Sequence, residues 1–230
     1  MIISHKYRFI FIKTMKTAGT SVEIALSEFL GDDDICTPLA DADENTRRNL
    51  GYKGARNYFV PLSGYRMKNW KKLLLKRKRL RYYTHSSASR VRRLVGNDIW
   101  NSYFKFCFER NPWDKTISAY YWRISKGGTA SLTDFIRDGA PDRLAKRGGS
   151  GLYTINGKIA MDRVCLYENM AEEMGFIAKK LNLPGIPRLP NAKSGTRKDK
   201  RHYRDVLTDD DRLCIHTAFA TEIKNFGYKF

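Results

Sequence analysis

A chain of 230 residues fits one globular domain, because hydrophobic cores stop growing and split only beyond ~250–300 residues. Hydrophobic residues at 42% and aromatics at 13% supply enough apolar surface to offset chain entropy, which excludes wholesale disorder. The formal net charge of +19 calls for an anionic partner, phosphate, sulfate or an acidic polymer, without choosing among them.

Residues 1–7 are too short and too polar for a signal peptide, and no stretch approaches the ~20 apolar residues of a membrane span, so a soluble, cytoplasmic protein is expected. Phe9-Ile10-Phe11-Ile12 is a continuous apolar run of the kind buried on both faces of a parallel sheet, and it predicts the first strand. Residues 13–21 lead into Val22-Glu23-Ile24-Ala25-Leu26-Ser27-Glu28-Phe29-Leu30, whose periodicity predicts a helix stopped by Gly31. Residues 32–64 are polar, hold the acidic cluster Asp32, Asp33, Asp34, Asp41, Asp43 and Glu44, and read as irregular surface. Residues 66–93 carry many Lys and Arg and no carboxylate, with Trp70, Leu73, Leu74 and Leu75 interleaved; residues 80–84 are expected to form a second strand.

Phe104-Lys105-Phe106-Cys107-Phe108, bounded by Asn111-Pro112, predicts a further strand, and Trp113 to Ser125 repeat apolar positions at helical spacing before Gly127-Gly128. Arg163-Val164-Cys165-Leu166-Tyr167 predicts another strand. The helix after it is expected to start from Asn169 with Glu172 three positions on, close to a capping box, and to end at Leu183-Pro184-Gly185. Residues 187–205 read as a basic loop. A last helix starts at Thr208 with Asp209, Asp210 and Asp211 opposing the positive end of its dipole, and the aromatic tail 226–230 is expected to dock. Strands alternating with helices predict an α/β fold with a mainly parallel central sheet flanked by helices and ligands at the carboxyl ends of its strands. Cys36, Cys107, Cys165 and Cys214 are widely spaced and lack a CxxC pair, so they read as reduced thiols, with Cys107 and Cys165 in the core.

Two strand-to-helix junctions carry chemistry. In Lys13-Thr14-Met15-Lys16-Thr17-Ala18-Gly19-Thr20-Ser21, backbone N–H groups and the helix dipole can converge on an anion; Thr17, Thr20 and Ser21 add hydroxyls, and Lys16 adds a mobile charge. The lysine precedes the only glycine, so the loop does not match the Walker order GxxxxGK[ST]. Alone, the loop is an anion cradle or a ligand-free turn. At the second junction Arg110 and Ser118 stand eight residues apart, so that a guanidinium fork and a neutral donor can face one phosphate. Alone, that pair reads by default as a structural ion pair and a helix-surface serine.

Taken together, Lys16-Thr17-Ala18-Gly19-Thr20-Ser21 resembles the 5′-phosphosulfate loop of sulfotransferases that use 3′-phosphoadenosine 5′-phosphosulfate (PAPS), and residues 110–121, from Arg110 through Ser118, resemble their 3′-phosphate motif. The likeness is greatest to the carbohydrate branch that includes heparan sulfate 2-O-sulfotransferase, and it extends to Phe226-Gly227-Tyr228-Lys229-Phe230. The resemblance implies a P-loop-like sulfotransferase fold with PAPS as donor co-substrate and no metal. It makes Lys16 the residue that neutralises the departing phosphate, Thr17, Ala18, Gly19, Thr20 and Ser21 the 5′-phosphate contacts, and Arg110 and Ser118 the 3′-phosphate contacts. Tyr167 matches a tyrosine packed near adenine. Arg197 and Lys198 match a basic segment closing over the donor, with a solvated charged loop as the alternative. His85 falls where this branch places the base that deprotonates the acceptor hydroxyl, and an unperturbed histidine pKa near ~6.5 suits that task, with a structural histidine hydrogen-bonded near the sheet edge as the alternative. The implied acceptor is a sugar hydroxyl, including that of an acidic glycan.

Two other readings stay open on the residues: a P-loop-type small-molecule kinase, which shares the cradle after the first strand, and a non-catalytic polyanion binder built on the basic stretch 66–93. Acidic acceptor recruitment ranks above nucleic acid for that stretch. No ligand cluster with zinc or calcium spacing is visible in the sequence.

Overall fold

The computed structural model describes residues 1–190, 199 and 201–230. The two candidate donor contacts Arg197 and Lys198 lie outside the described residues. In chain order the elements are β1 (Ile2–Ser4), β2 (Phe9–Phe11), α1 (Gly19–Leu26), β3 (Ile35–Cys36), α2 (Asp41–Asn49), α3 (Met67–Lys76), α4 (Ala88–Ser102) and β4 (Phe104–Glu109). There follow α5 (Pro112–Ile124), α6 (Leu132–Arg137), α7 (Ala140–Gly148), α8 (Ser150–Tyr153), β5 (Thr154–Ile155), β6 (Lys158–Ile159), β7 (Arg163–Leu166), α9 (Met170–Lys180), α10 (Asp209–Ala218) and α11 (Ala220–Phe226).

The central sheet has the order β3-β1-β2-β4-β7. β2 runs parallel to β4 with Phe9 opposite Phe104, and β4 runs parallel to β7 with Phe106 opposite Arg163. β1 is antiparallel to both β2 and β3, so four strands share one direction and β1 alone is reversed. The side chains of β2 and β4 alternate between two cores, as the two-residue period of a strand requires. Phe9, Phe11, Phe106 and Phe108 pack with Val22 and Leu26 of α1 and Met174 and Ile177 of α9. Ile10, Ile12 and Cys107 pack on the opposite side with Val91 and Trp100 of α4 and Leu152 and Tyr153 of α8. Helices on both faces explain why these strands read as largely apolar runs, broken in β4 by Lys105. A third cluster gathers Trp113 and Ile117 of α5, Ile136 of α6, Leu144 of α7 and Ile215 of α10.

The aromatic tail docks here: the Phe230 ring lies 5.3 Å from Trp113 and 5.5 Å from Tyr203. All four cysteines are free thiols, with Cys107 and Cys165 in the core. No helix among the described residues is long and apolar enough to cross a membrane.

Several expectations are corrected. Residues 80–84 add no strand to the sheet; Arg81 makes one isolated bridge to Phe59, while the neighbouring Tyr82 inserts into the core. The region expected to be irregular contains β3 and α2, and α2 has the charge order its dipole favours, with Asp41, Asp43 and Glu44 in its first turn and Arg47 and Arg48 in its last. β1 precedes the strand expected to be first, because Ile2 and Ile3 are apolar enough to bury fully beside β2. Asn169 makes no side-chain cap, since the chain passes through a tight turn at Tyr167–Asn169 before α9. The reciprocal capping box belongs to Thr208 and Asp211 at the start of α10.

Candidate active site

The loop after β2 is held from both sides. Thr14 donates its hydroxyl to the Phe108 carbonyl and lies 2.9 Å from the Thr17 hydroxyl, while the Met15 N–H donates to the Gly148 carbonyl at 2.8 Å. Between these anchors Lys16 and Ala18 adopt left-handed backbone conformations, with φ of 63° and 55°. Such residues cost of order 1 kcal/mol each and persist where the surroundings fix them. Gly19 is needed for a different reason: a Cβ there would stand 2.8 Å from Lys13 Cγ and 3.3 Å from the Thr14 carbonyl oxygen. Ala18 offers α1 no side-chain cap. The first backbone N–H groups of α1, which have no intrahelical acceptor, therefore face the space in front of the helix without a side-chain cap. Thr17 is fully buried with its hydroxyl turned back onto Thr14, so that hydroxyl holds the loop, whereas Thr20 is half-buried. Ser21, at 6% exposure, is nearly enclosed.

The second junction meets the first through Arg110. Its Nη1 donates to the Lys16 carbonyl at 3.1 Å, and its Nε and Nη2 donate to Asp114 Oδ2 at 2.8 and 2.5 Å. Its guanidinium carbon lies 4.1 Å from the centre of the Tyr167 ring. Three of the five guanidinium N–H groups serve these bonds, and two are left for a ligand. Asn111 caps α5 by accepting from the N–H groups of Trp113 and Asp114, and Glu168 accepts the Asn111 N–H at 2.7 Å. These bonds fix the start of α5 against the turn that follows β7. Asp114, Ser118 and Trp122 recur every fourth residue along α5 and so share one face. Arg110, paired to Asp114, touches the Lys16 carbonyl, and Trp122 lies 5.8 Å from Lys16 Nζ, so half-buried Ser118 is flanked by residues that both reach Lys16.

His85 stands beside the same loop. Its Nδ1 is 2.8 Å from the Lys13 carbonyl oxygen. A carbonyl only accepts, so Nδ1 carries the proton and Nε2 is left with its lone pair. By accessible surface His85 is exposed, with its Nδ1 edge turned onto the loop. Desolvation by the surrounding protein lowers its pKa most; the Lys13 carbonyl bond opposes this and the Lys13 charge adds to it. Lys13 itself is buried and paired with Glu23 Oε2 at 2.9 Å. Burial pushes the Glu23 carboxyl upward, but the Met1 ammonium at 2.8 Å and Lys13 together outweigh it and leave the pKa below the ordinary range. A second buried pair supports β4: Glu109, just before Arg110, is bonded to Lys115 of α5, with both side chains fully buried. Desolvation raises the Glu109 pKa, and Lys115 offsets only part of that rise.

A cavity of about 830 Å³ opens beside Lys16, with Tyr120, Trp122, Phe135, Arg123, Arg147 and Asp138 among the residues in its walls. His85 is not among its lining residues. Lys13, Glu23, Asp114 and Trp122 escape a motif-based reading. Two of them had a local signal, Glu23 as the charge inside an apolar helical run and Asp114 as the carboxylate four residues after Arg110.

Over 122 residues the chain is 35% identical to an uncharacterized protein of Archaeoglobus fulgidus, an alignment covering 51% of this chain and 96% of the archaeal protein. No protein-family model and no solved structure matches the chain.

Proposed function

The chain belongs to the same family as that Archaeoglobus protein, and from the geometry of its own residues we propose that it is a sulfotransferase with a P-loop-like β2–loop–α1 unit, moving a sulfuryl group from PAPS to an acceptor hydroxyl. The observation that carries this reading is the bond from Arg110 to the Lys16 carbonyl, which joins two motifs 94 residues apart into one surface at the carboxyl ends of β2 and β4. Either motif alone fits many anions; joined, they suit a donor with phosphate at both the 5′ and the 3′ position.

In the proposed reaction an acceptor oxygen attacks sulfur in line with the bond from sulfur to the bridging oxygen. That bond breaks, and its electron pair leaves on the 5′-phosphate of 3′,5′-bisphosphoadenosine. The Lys16 ammonium neutralises this leaving oxygen, and the N–H groups at the start of α1 hold the phosphate. Arg110 and Ser118 bind the 3′-phosphate, with Tyr167 stacked behind the guanidinium. The proton of the acceptor passes to Nε2 of His85, the nitrogen that the Lys13 carbonyl leaves unprotonated.

The test is incubation of the protein with sulfur-labelled PAPS and a panel of uronate-bearing and neutral sugars. The reading requires labelled acceptor and 3′,5′-bisphosphoadenosine in equal amounts without added metal. Transfer of phosphate from magnesium–ATP instead would assign the site to a kinase.

A further inference from the structure

The N-terminal part of the basic stretch, which the proposed reaction leaves unused, contains α3, and its surroundings set it apart from the other helices. None of its ten residues is buried. Met67, Leu74 and Leu75 are 79%, 75% and 81% exposed, and Trp70, whose ring leans on Tyr65 at 5.5 Å, is 39% exposed. Among the described residues, seven of the thirteen exposed large hydrophobic side chains lie between residues 59 and 83, so the apolar exposure is concentrated rather than scattered. Met67, Trp70 and Leu74 follow the i, i+3, i+7 spacing of one helical stripe, while Lys68, Lys72 and Lys76 follow i, i+4, i+8 along another. Arg77, Lys78 and Arg79 continue the positive charge past the end of the helix.

We propose that α3 is an interfacial helix that docks the protein onto an anionic lipid bilayer, with Met67, Trp70 and Leu74 entering the headgroup–acyl boundary and the lysines meeting the lipid headgroups. An amphipathic helix with a cationic face and an exposed tryptophan has the composition that such a surface binds. Charge complementarity selects the occupant. Residues 66–93 hold twelve Lys and Arg and no carboxylate, so a second copy of this surface would oppose like charges without a partner for them. Nucleic acid would satisfy the cations but would leave the Leu74 and Leu75 side chains with nothing apolar to cover them. An anionic bilayer answers both requirements. The inference does not depend on the reaction proposed above.

The experiment is flotation of the full chain with vesicles of phosphatidylglycerol and phosphatidylcholine, set against vesicles of phosphatidylcholine alone, and repeated with the double variant Leu74→Ser/Leu75→Ser. Both leucines are exposed, so the variant keeps the fold and every positive charge. The chain should float with the anionic vesicles only, and the double variant should lower the partition coefficient about tenfold or more. Failure to float with anionic vesicles overturns the proposal, as does equal flotation of the variant, which would reduce the contact to charge alone. An RNA oligonucleotide whose binding falls as steeply in the variant as vesicle binding does would assign the surface to nucleic acid instead.

Discussion

Arg110 donates to the main-chain oxygen of Lys16 at 3.1 Å, so the loop after β2 and the loop after β4 are held together by the side chain expected to grip a phosphate. Two of its other donors are already committed to Asp114. Removal of Arg110 therefore costs a ligand contact and loosens the left-handed turn at Lys16 at once. Arg110→Ala is expected to weaken 3′,5′-bisphosphoadenosine roughly 10- to 100-fold, the loss of one or two charge-assisted hydrogen bonds. Arg110→Lys should recover only a small part of this, because it restores the charge without the fork. Titration calorimetry on the three proteins checks both statements.

Lys16→Ala is expected to lower turnover about 10²- to 10³-fold, the usual effect of removing one donor from a developing negative charge, with far less change in donor binding. Lys16→Gly should be as slow as Lys16→Ala but more stable than it, by about 1 kcal/mol, since glycine accepts the φ of 63° without strain. Single-turnover rates and denaturant melts separate the two effects.

The acid limb of the pH profile follows from His85. Its pKa is lowered in the folded chain, so the neutral base that accepts the proton forms below the ordinary histidine range. kcat/KM should climb with pH through a midpoint under ~6.5 and be flat by about pH 7. As pH falls the unfolded chain takes up this proton first, so the same shift removes stability below ~6.5 and has no effect above it. His85→Asn can still donate to the Lys13 carbonyl but offers no base. It should cost roughly 10²- to 10⁴-fold in rate and erase the acid limb while leaving the loop in place. An unchanged profile in His85→Asn would take this residue out of the reaction.

The Glu109–Lys115 pair sits under Arg110 with both side chains fully buried. Lys115→Met leaves a carboxylate in the core without its cation, and an expected loss of about 3–5 kcal/mol in denaturant unfolding follows. The double change Glu109→Gln/Lys115→Met should recover much of that loss. If the single variant were as stable as the parent chain, the pair would have no structural role.

The sheet was legible where a strand is covered on both faces, because Phe9 to Ile12 and, Lys105 apart, Phe104 to Phe108 are then apolar. β1 and β3 escaped because their apolar runs are shorter, Met1 to Ile3 in one and Ile35-Cys36 in the other, than the four residues from Phe9 to Ile12. α2 escaped because its nine residues are almost wholly polar, and only the order of its charges marks it as a helix. Within the site, Lys16, Arg110 and Ser118 stood out through the resemblance of their two motifs to a known family, not through spacing alone. The Lys13–Glu23 pair and the Lys13 carbonyl that fixes the tautomer of His85 did not, since a main-chain acceptor has no signature in the sequence and a buried ion pair forms only when the fold closes around it. Asp114 shows the same limit from the other side: its position could be read, but not that it would engage two donors of Arg110.

The central claim is that one site reads phosphate at both the 5′ and the 3′ position of one adenosine ribose. Its most direct test is a metal-free calorimetric comparison of 3′,5′-bisphosphoadenosine with ADP on the full chain. The account predicts that the bisphosphate binds at least about tenfold more tightly and that Arg110→Ala abolishes the difference. Equal affinity for the two nucleotides, or tighter binding of magnesium–ATP than of either, would contradict it.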